Sequence, residues 1–482
     1  MYKYFLVVDI GTGNARVAVV RSDGEVTGVA RGDIQYHRDP LYPDAIYFKP
    51  DLLWEQVTGL AQEALQQAGK PVITAITSTS QREGIVLIGK DGKSMIGLPN
   101  IDHRGREWEN EFADKNKIYQ LSGRYPGSLF SVYKLEGIRR RRQEIWQEIE
   151  VFVSISDWVG YQFTGIAAYE HSQASETLLY DVEKGGWSDE LCEIFHFDKK
   201  YLPPLAQSCS ITGPILEPVA NTWNISKDAV MVTGGGDTQL AVKSTQPAGD
   251  DFVIVSGTTT PIVKLAAHYV TDEQQRTWTN RDVEHNRFIF EANAGVTGLN
   301  LQRLKEIFYP NEGYEVMERE LQKDEARMCM ASLGSLVASD RSPVVKGGFI
   351  FPVPVSHELS RSSFIWAALL DIGFSIAENF NVLKGIVGHT PDYIWACGGG
   401  LQSGLFRQVL ADILDTEVRV RYGFSQSSAI GGALICNAAL GINDALVNTT
   451  VEAVVPDKCR QQLFEQLYAE WKHSRHFFRQ LS

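Results

Sequence analysis

Two acidic residues stand where apolar strands give way to glycine. Asp9 is next to last in YFLVVDI, two residues before Gly11 with Thr12 and Gly13 following, and Asp237 follows three glycines in AVMVTGGGDTQL. Glycines flanking a threonine leave backbone N–H groups open to an approaching anion. A carboxylate beside them repels that anion unless a cation stands between, so the pairing points to a metal-bound phosphate. Gly257-Thr258-Thr259 in IVSGTTTPIV adds a second, hydroxyl-bearing loop. Gly398-Gly399-Gly400 in WACGGGLQS opens a strand-to-helix crossing, where a flat nucleoside can lie against bare backbone. Each segment alone is an ordinary turn; together they describe a site that handles a nucleotide.

The familiar nucleotide motifs do not account for these loops. A dinucleotide fingerprint needs a third glycine followed by a helix. Here Arg16 holds that position, and NARVAVV is patterned as a strand. A Walker loop ends in Gly-Lys-Ser/Thr, which none of the loops named above does.

The elements that must position the loops are legible. YKYFLVVDI and ARVAVVRS predict a meander turning at Asp23-Gly24. DLLWEQVTGLAQEALQQAGK predicts an amphipathic helix through Leu53, Val57, Leu60 and Ala64, ended by Gly69. PVITAITSTS is a strand leading into QREG. AVMVTGGGDTQLAVKS repeats the opening idea in the middle of the chain, and DFVIVSGTTTPIV supplies another meander, so a duplication is expected. DYIWACGGGLQSGLFRQVLADIL predicts strand, loop and a helix capped by Ser403. QSSAIGGALICNAALG suits a helix packed closely on another backbone, and QQLFEQLYAEWKHSRHFF a final amphipathic helix.

A chain of 482 residues exceeds one hydrophobic core. The boundary is expected at TQPAGDD, giving domains over 1–244 and 245–482. The net charge of −13 argues against a nucleic-acid surface, and the one dense basic run, Arg139 to Arg142, reads as a solvated helix face. Six scattered cysteines without CxxC spacing argue against disulfides or zinc and suit a reducing cytosol. FIWAALLDIGF is too short to span a bilayer and carries Asp371. A cytoplasmic protein without membrane or nucleic-acid partners is expected.

The motifs DIGTGNAR, TSQREG, NIDHRG, ISDW, GGGDTQL, SGTTT and CGGGLQS, in that order, resemble those of the FGGY carbohydrate kinases over essentially the whole chain. The resemblance implies an α/β fold of two ribonuclease-H-like (actin-like ATPase) domains around a central cleft, with ATP and Mg²⁺. It makes the first domain the sugar and phosphate side and the second the nucleotide side. It implies that Asp237 is the catalytic base and that Asp9, together with Asp237, serves the metal. Thr12, Gly13 and Asn14 fall on one side of the phosphate path, and Gly257, Thr258 and Thr259 on the other. Gly298, Gly399 and Gly400 match nucleotide contacts; Gln81, Arg82, Glu83, Asp102 and Gln239 match substrate contacts.

REGIVL, DHR, ISDW and GGGDTQL are similar to the autoinducer-2 kinase branch, which phosphorylates a linear dihydroxypentanedione. Xylulokinase, glycerol kinase or another pentulose or polyol kinase is the alternative. Outside the class stand a chaperone-like ATPase, an actin-like filament protein and a catalytically idle sugar sensor. The partner expected is a small sugar or polyol, with a homodimer left open.

Overall fold

The computed structural model describes residues 2–112, 114–323, 328–340, 343–443, 446 and 449–481. The chain forms two compact units, one of Met1–Gln246, Ala266–Ile289 and Gln426–Thr449, the other of Pro247–Leu265, Phe290–Ser425 and Thr450–Ser482.

In the first unit the apolar opening run becomes β1 (Tyr4–Ile10), hairpin-paired with β2 (Asn14–Arg21), which pairs with β3 (Val26–Asp33). Helix α1 (Pro50–Gln67) leads to β4 (Ile73–Ser80), parallel to β1; β5 (Val230–Gly236) lies parallel to β4 in turn. The strand Ile211–Pro214 completes the sheet beside β5. Alternate residues of β1 point to opposite faces. Leu6, Val8 and Ile10 pack with Val57, Leu60 and Ala64 of α1, whereas Phe5 and Val7 face a second apolar cluster. Both faces of β1 are covered, which explains its nearly continuous apolar run. Between β4 and β5 lie α2 (Ser131–Arg141) and α3 (Ile155–Thr164), the latter capped by Ser154. The helix α4 (Asp237–Ser244) begins at Asp237 itself.

The second unit repeats this order. β6 (Phe252–Val255) pairs antiparallel with β7 (Pro261–Ala266), and β8 (Phe288–Asn293) lies beyond it. After α5 (Gly298–Phe308) and the long α6 (Arg361–Val387), β9 (Tyr393–Cys397) joins β6 in parallel. Helix α7 (Gly404–Leu414) then leads to β10 (Glu417–Arg421), parallel to β9. In each sheet a central hairpin has two successive parallel strands on one side, the topological mark of a duplication. The strand order repeats, but from a different starting point than expected: AVMVTGGG is the last parallel strand of the first sheet, and DFVIVSGTTTPIV is the counterpart of the opening hairpin.

The helix α8 (Ser427–Leu440) belongs to the first unit. Its small residues do what their size suggests: a Cβ on Gly431 would stand 2.0 Å from the Leu240 carbonyl oxygen. In the second unit α9 (Gln461–Gln480) closes the chain, and Trp471 on it donates to buried Asp371 at 2.8 Å. Each arginine of the run 139–142 has an acidic partner, among them Glu136, Glu111, Glu107 and Asp39. All six cysteines are unbridged. Among the described residues, no helix is long and apolar enough to cross a membrane.

Candidate functional site

Parallel strands deliver their carboxyl-terminal ends to one edge of a sheet, which is where ligands bind in such folds. In the first unit β1 ends beside the glycine loop, β4 runs into Gln81, Arg82 and Glu83, and β5 runs into Asp237. Their register makes this concrete: Asp9 lies opposite Thr79, and Ser80 opposite Gly236.

The glycine loop is tight. Gly11 N–H donates to Asn14 O at 3.0 Å, and Asn100 Nδ2 donates to Thr12 Oγ1 at 3.0 Å. Gly13 and Asn14 are exposed, and a Cβ on Gly13 would meet nothing within 4 Å. That open face is what an anion-binding loop requires. Asp9 is held from the neighbouring strand and from α8: Arg16 lies opposite it in the hairpin and binds its Oδ2 at 2.5 Å, while Ser428 donates to the same oxygen at 2.7 Å. Arg16 also reaches Gln426 at 2.9 Å.

Of the residues matched to substrate, Gln81 is engaged by the scaffold. Its amide donates to Gly11 O at 3.0 Å, and its carbonyl accepts from Asn100 N at 2.8 Å. It braces the glycine loop. Arg82 and Glu83 are both buried, and Arg82 lies 3.5 Å from Glu176. Glu83 sits at a φ of +62°, a left-handed turn that non-glycine residues rarely take, with Ser131 donating to its carbonyl at 3.1 Å. Burial raises the Glu83 pKa, Arg82, Arg124 and Lys134 oppose that rise, and Asp237 adds to it. Asp102 is fully buried, accepting from Ile46 N at 2.9 Å and from Arg104 Nε at 2.7 Å. Gln239 donates weakly to Arg281 O at 3.4 Å, and its buried carbonyl oxygen has no partner.

Asp237 occupies the first turn of α4, where Thr238 N–H donates to its Oδ1 at 2.6 Å. Burial pushes its carboxyl up to about 6; Asp9 adds to the rise, and Arg82 opposes it. The two acids therefore feel each other's charge.

The second unit holds its own loop. Gly257 N–H donates to Thr259 O at 3.0 Å, a closure one residue shorter than that from Gly11 to Asn14, and Thr258 is exposed. Gly298 begins α5 against this loop: a Cβ there would stand 2.0 Å from Gly257 O. Gly398 has a φ of +102°, and Gly400 abuts Ser256, whereas a Cβ on Gly399 would meet only the distant Gln402 amide at 4.0 Å. Gly398 and Gly400 thus serve close packing, and Gly399 presents the free backbone. Ser403 caps α7, accepting from Phe406 N at 3.1 Å.

Sequence reasoning missed Arg16, Ser428, Lys134 and the buried pair Arg124–Glu176. Arg16 had a signal, because a four-residue turn places it opposite Asp9. The others reach the site from distant segments, and no local spacing announces them.

Both sets of residues suit a phosphoryl-transfer catalyst: one unit offers paired carboxylates and a buried array of hydrogen-bonding groups, and each unit offers a glycine loop. The chain belongs to the FGGY family of carbohydrate kinases, matching the family's N-terminal domain over residues 4–243 and its C-terminal domain over residues 336–440. These are ATP-dependent phosphotransferases acting on sugars, built of two actin-like ATPase domains. It is 46% identical over 478 residues to YoaC of Bacillus subtilis, a provisionally named sugar kinase, covering 99% of this chain and 97% of that one. An autoinducer-2 kinase of Escherichia coli is 24% identical over 500 residues, covering 97% of this chain and 93% of its own. A ligand-bound xylulose kinase of Lactobacillus acidophilus shares the fold, with a TM-score of 0.83 at 18% identity and 98% of each chain covered.

Proposed function

We propose that this kinase transfers the γ-phosphoryl group of ATP to a hydroxyl of a small linear sugar or polyol, with Asp237 as the base. The observation that carries the assignment is the convergence of Asp9, Arg82–Glu83 and Asp237 on the carboxyl-terminal ends of three adjacent strands. In the reaction the substrate hydroxyl oxygen bonds to the γ-phosphorus, and the bond from that phosphorus to its bridging oxygen breaks to leave ADP. The hydroxyl proton passes to Asp237. Positioning and charge stabilisation supply most of the rate in such transfers, so proton removal late in the step suffices.

Asp9 and Asp237 fit Mg²⁺, a hard cation that keeps several waters and needs one or two carboxylates; when bound it neutralises charge on the transferred phosphate. Thr12, Gly13 and Asn14 offer the exposed loop to phosphate on the first unit, and Gly257, Thr258 and Thr259 do so on the second. Gly298 fixes that second loop, and Gly399 receives the nucleoside, with Gly400 packing beneath it. Arg82, Glu83, Asp102 and Gln239 recognise substrate oxygens, and Gln81 braces the loop beside them. Unbridged thiols suit a cytoplasmic enzyme.

For the substrate we favour the linear dihydroxypentanedione of the autoinducer-2 kinases, on the motif similarity and the full-length relationship to that enzyme. A coupled ADP assay with 4,5-dihydroxy-2,3-pentanedione, D-xylulose, other ketopentoses, tetritols and glycerol tests this. The dione should stimulate ATP consumption most. Strong turnover of xylulose with none of the dione would replace the substrate and leave the kinase standing.

A further inference from the structure

Among the described residues, the Asp237 carboxylate accepts hydrogen bonds only from Thr238, its neighbour in the chain. Its direction is therefore set by the backbone that carries it, and the sheet alone does not hold that backbone. The register of β5 against β4 shifts between Val232 and Gly235. Past the shift, side-chain hydroxyls hold the glycines. Thr79 Oγ1 donates to Gly235 O at 2.9 Å, and Ser172 Oγ accepts from Gly236 N–H at 3.0 Å. Gly236 is the N-cap residue of α4, one position before Asp237. Glycine permits the approach: a Cβ on Gly235 would stand 3.1 Å from Ser172 Oγ and 2.5 Å from a Val283 methyl.

Ser172 lies on the four-residue helix His171–Ala174, directly after Glu170, and both side chains are buried. A hydroxyl has one proton and two lone pairs. Ser172 gives its proton to Glu170 Oε2, so a lone pair is what it turns toward Gly236. Glu170 is fixed in its turn. Its Oε2 also accepts from Gln173 N at 3.0 Å, and its Oε1 from Ser208 Oγ at 2.6 Å. Its own N–H donates at 3.1 Å to Oδ2 of Asp157, the acid of the ISDW motif on α3. Gln173 Nε2 donates to Ser80 Oγ at 3.1 Å, and Ser80 lies opposite Gly236. One short segment thus reaches the ends of both strands that lead into the site.

We propose that Ser172 and Glu170 are positioning residues for the base: Glu170 orients the Ser172 hydroxyl, which fixes Gly236 and through it the direction of Asp237. The inference rests on the reading of Asp237 as the base and adds the device that aims it. Neither residue needs to touch sugar or nucleotide, so their loss should appear in the transfer step and not in binding.

The test measures single-turnover phosphoryl transfer and the apparent KM of sugar and of ATP for the full-length wild type, Ser172→Ala, Glu170→Ala and Glu170→Gln. It repeats Ser172→Ala in an Asp237→Asn background. The sugar is whichever of the dione, xylulose, other ketopentoses, tetritols or glycerol the wild type phosphorylates best. Misplacing a reacting group predicts transfer slowed about ten- to a hundredfold in Ser172→Ala and Glu170→Ala. Both KM values should stay within about twofold of the wild type. Glu170→Gln keeps an oxygen for Ser172 and Gln173 and an amide for Ser208, and should transfer within about threefold of the wild type. In the Asp237→Asn background Ser172→Ala should slow transfer by less than about threefold more, because the hydroxyl acts through the base. A wild-type rate in Ser172→Ala, an equal fall in both backgrounds, or Glu170→Gln as slow as Glu170→Ala would overturn the proposal. If Ser172→Ala does not fold, Ser172→Cys decides, since a thiol keeps the volume but is a weak donor and acceptor: a wild-type rate there overturns it. A wild type that phosphorylates none of these compounds, or an Asp237→Asn variant as fast as the wild type, overturns the reading of the base and this inference together. A slow Asp237→Asn beside a wild-type rate in Ser172→Ala overturns this inference alone.

Discussion

Asp237 and Asp9 are chemically alike but separately held, and substitution should separate them. Asp237→Asn retains the oxygen that accepts from Thr238 N–H, so folding and ATP binding should persist while turnover falls about 10²–10⁴-fold. Single-turnover kinetics beside nucleotide titration check this; a variant keeping a third of wild-type turnover would exclude the base assignment. Asp9→Ala leaves Arg16 with Ser428 and Gln426. It should raise the Mg²⁺ concentration needed for half-maximal activity and spare the sugar KM, whereas Arg82→Ala should raise the sugar KM and spare the Mg²⁺ dependence. Equal shifts in both quantities for both variants would contradict this division of the site. At this scale the sequence exposes residues that glycine leaves unscreened, which is why both acids were legible. Lys134, Arg124 and Glu176 act through tertiary contacts and carry no local pattern. Gln81 shows the converse: its motif puts it beside the glycine loop, but its amide is committed to Gly11 and Asn100.

At the scale of elements, glycines decide how closely loops and helices approach. A methyl group at Gly298 would press on the backbone of Gly257 rather than on a movable side chain. Gly298→Ala should therefore displace the Gly257–Thr259 loop, destabilise the protein by about 1–3 kcal/mol and raise the ATP KM several-fold while sparing the sugar KM. Thermal unfolding and steady-state kinetics on one preparation check both; a variant with wild-type stability and ATP KM would show that the approach is not needed. Periodicity made the helices 50–67 and 461–480 readable, since each buries one stripe. Small-residue content likewise foretold the packing of α8 onto the Leu240 backbone. The segment after Gly236 was harder. DTQLAVKS has no clear amphipathic stripe, and it is nearly all buried, so only the structure shows that Asp237 starts a helix.

For the whole molecule, the repeated strand order accounts for a glycine hairpin at the end of a central strand in each unit, closed from Gly11 to Asn14 in one and from Gly257 to Thr259 in the other. Their surroundings have diverged. The first unit adds acids and a buried cluster of Arg82, Glu83, Asp102 and Lys134, and the second adds the open backbone at Gly399. An ATPase of chaperone or filament type would need the loops but not the cluster, so the cluster distinguishes a sugar kinase from them. The measurement that bears most directly on this is the fate of the γ-phosphate, followed by ³¹P NMR with Mg-ATP and each compound of the sugar panel, using the wild type and Asp237→Asn. A phosphate monoester of one sugar, formed in step with ADP by the wild type and suppressed in Asp237→Asn, is the predicted result. ADP appearing only with inorganic phosphate, at a rate no sugar changes, would contradict it.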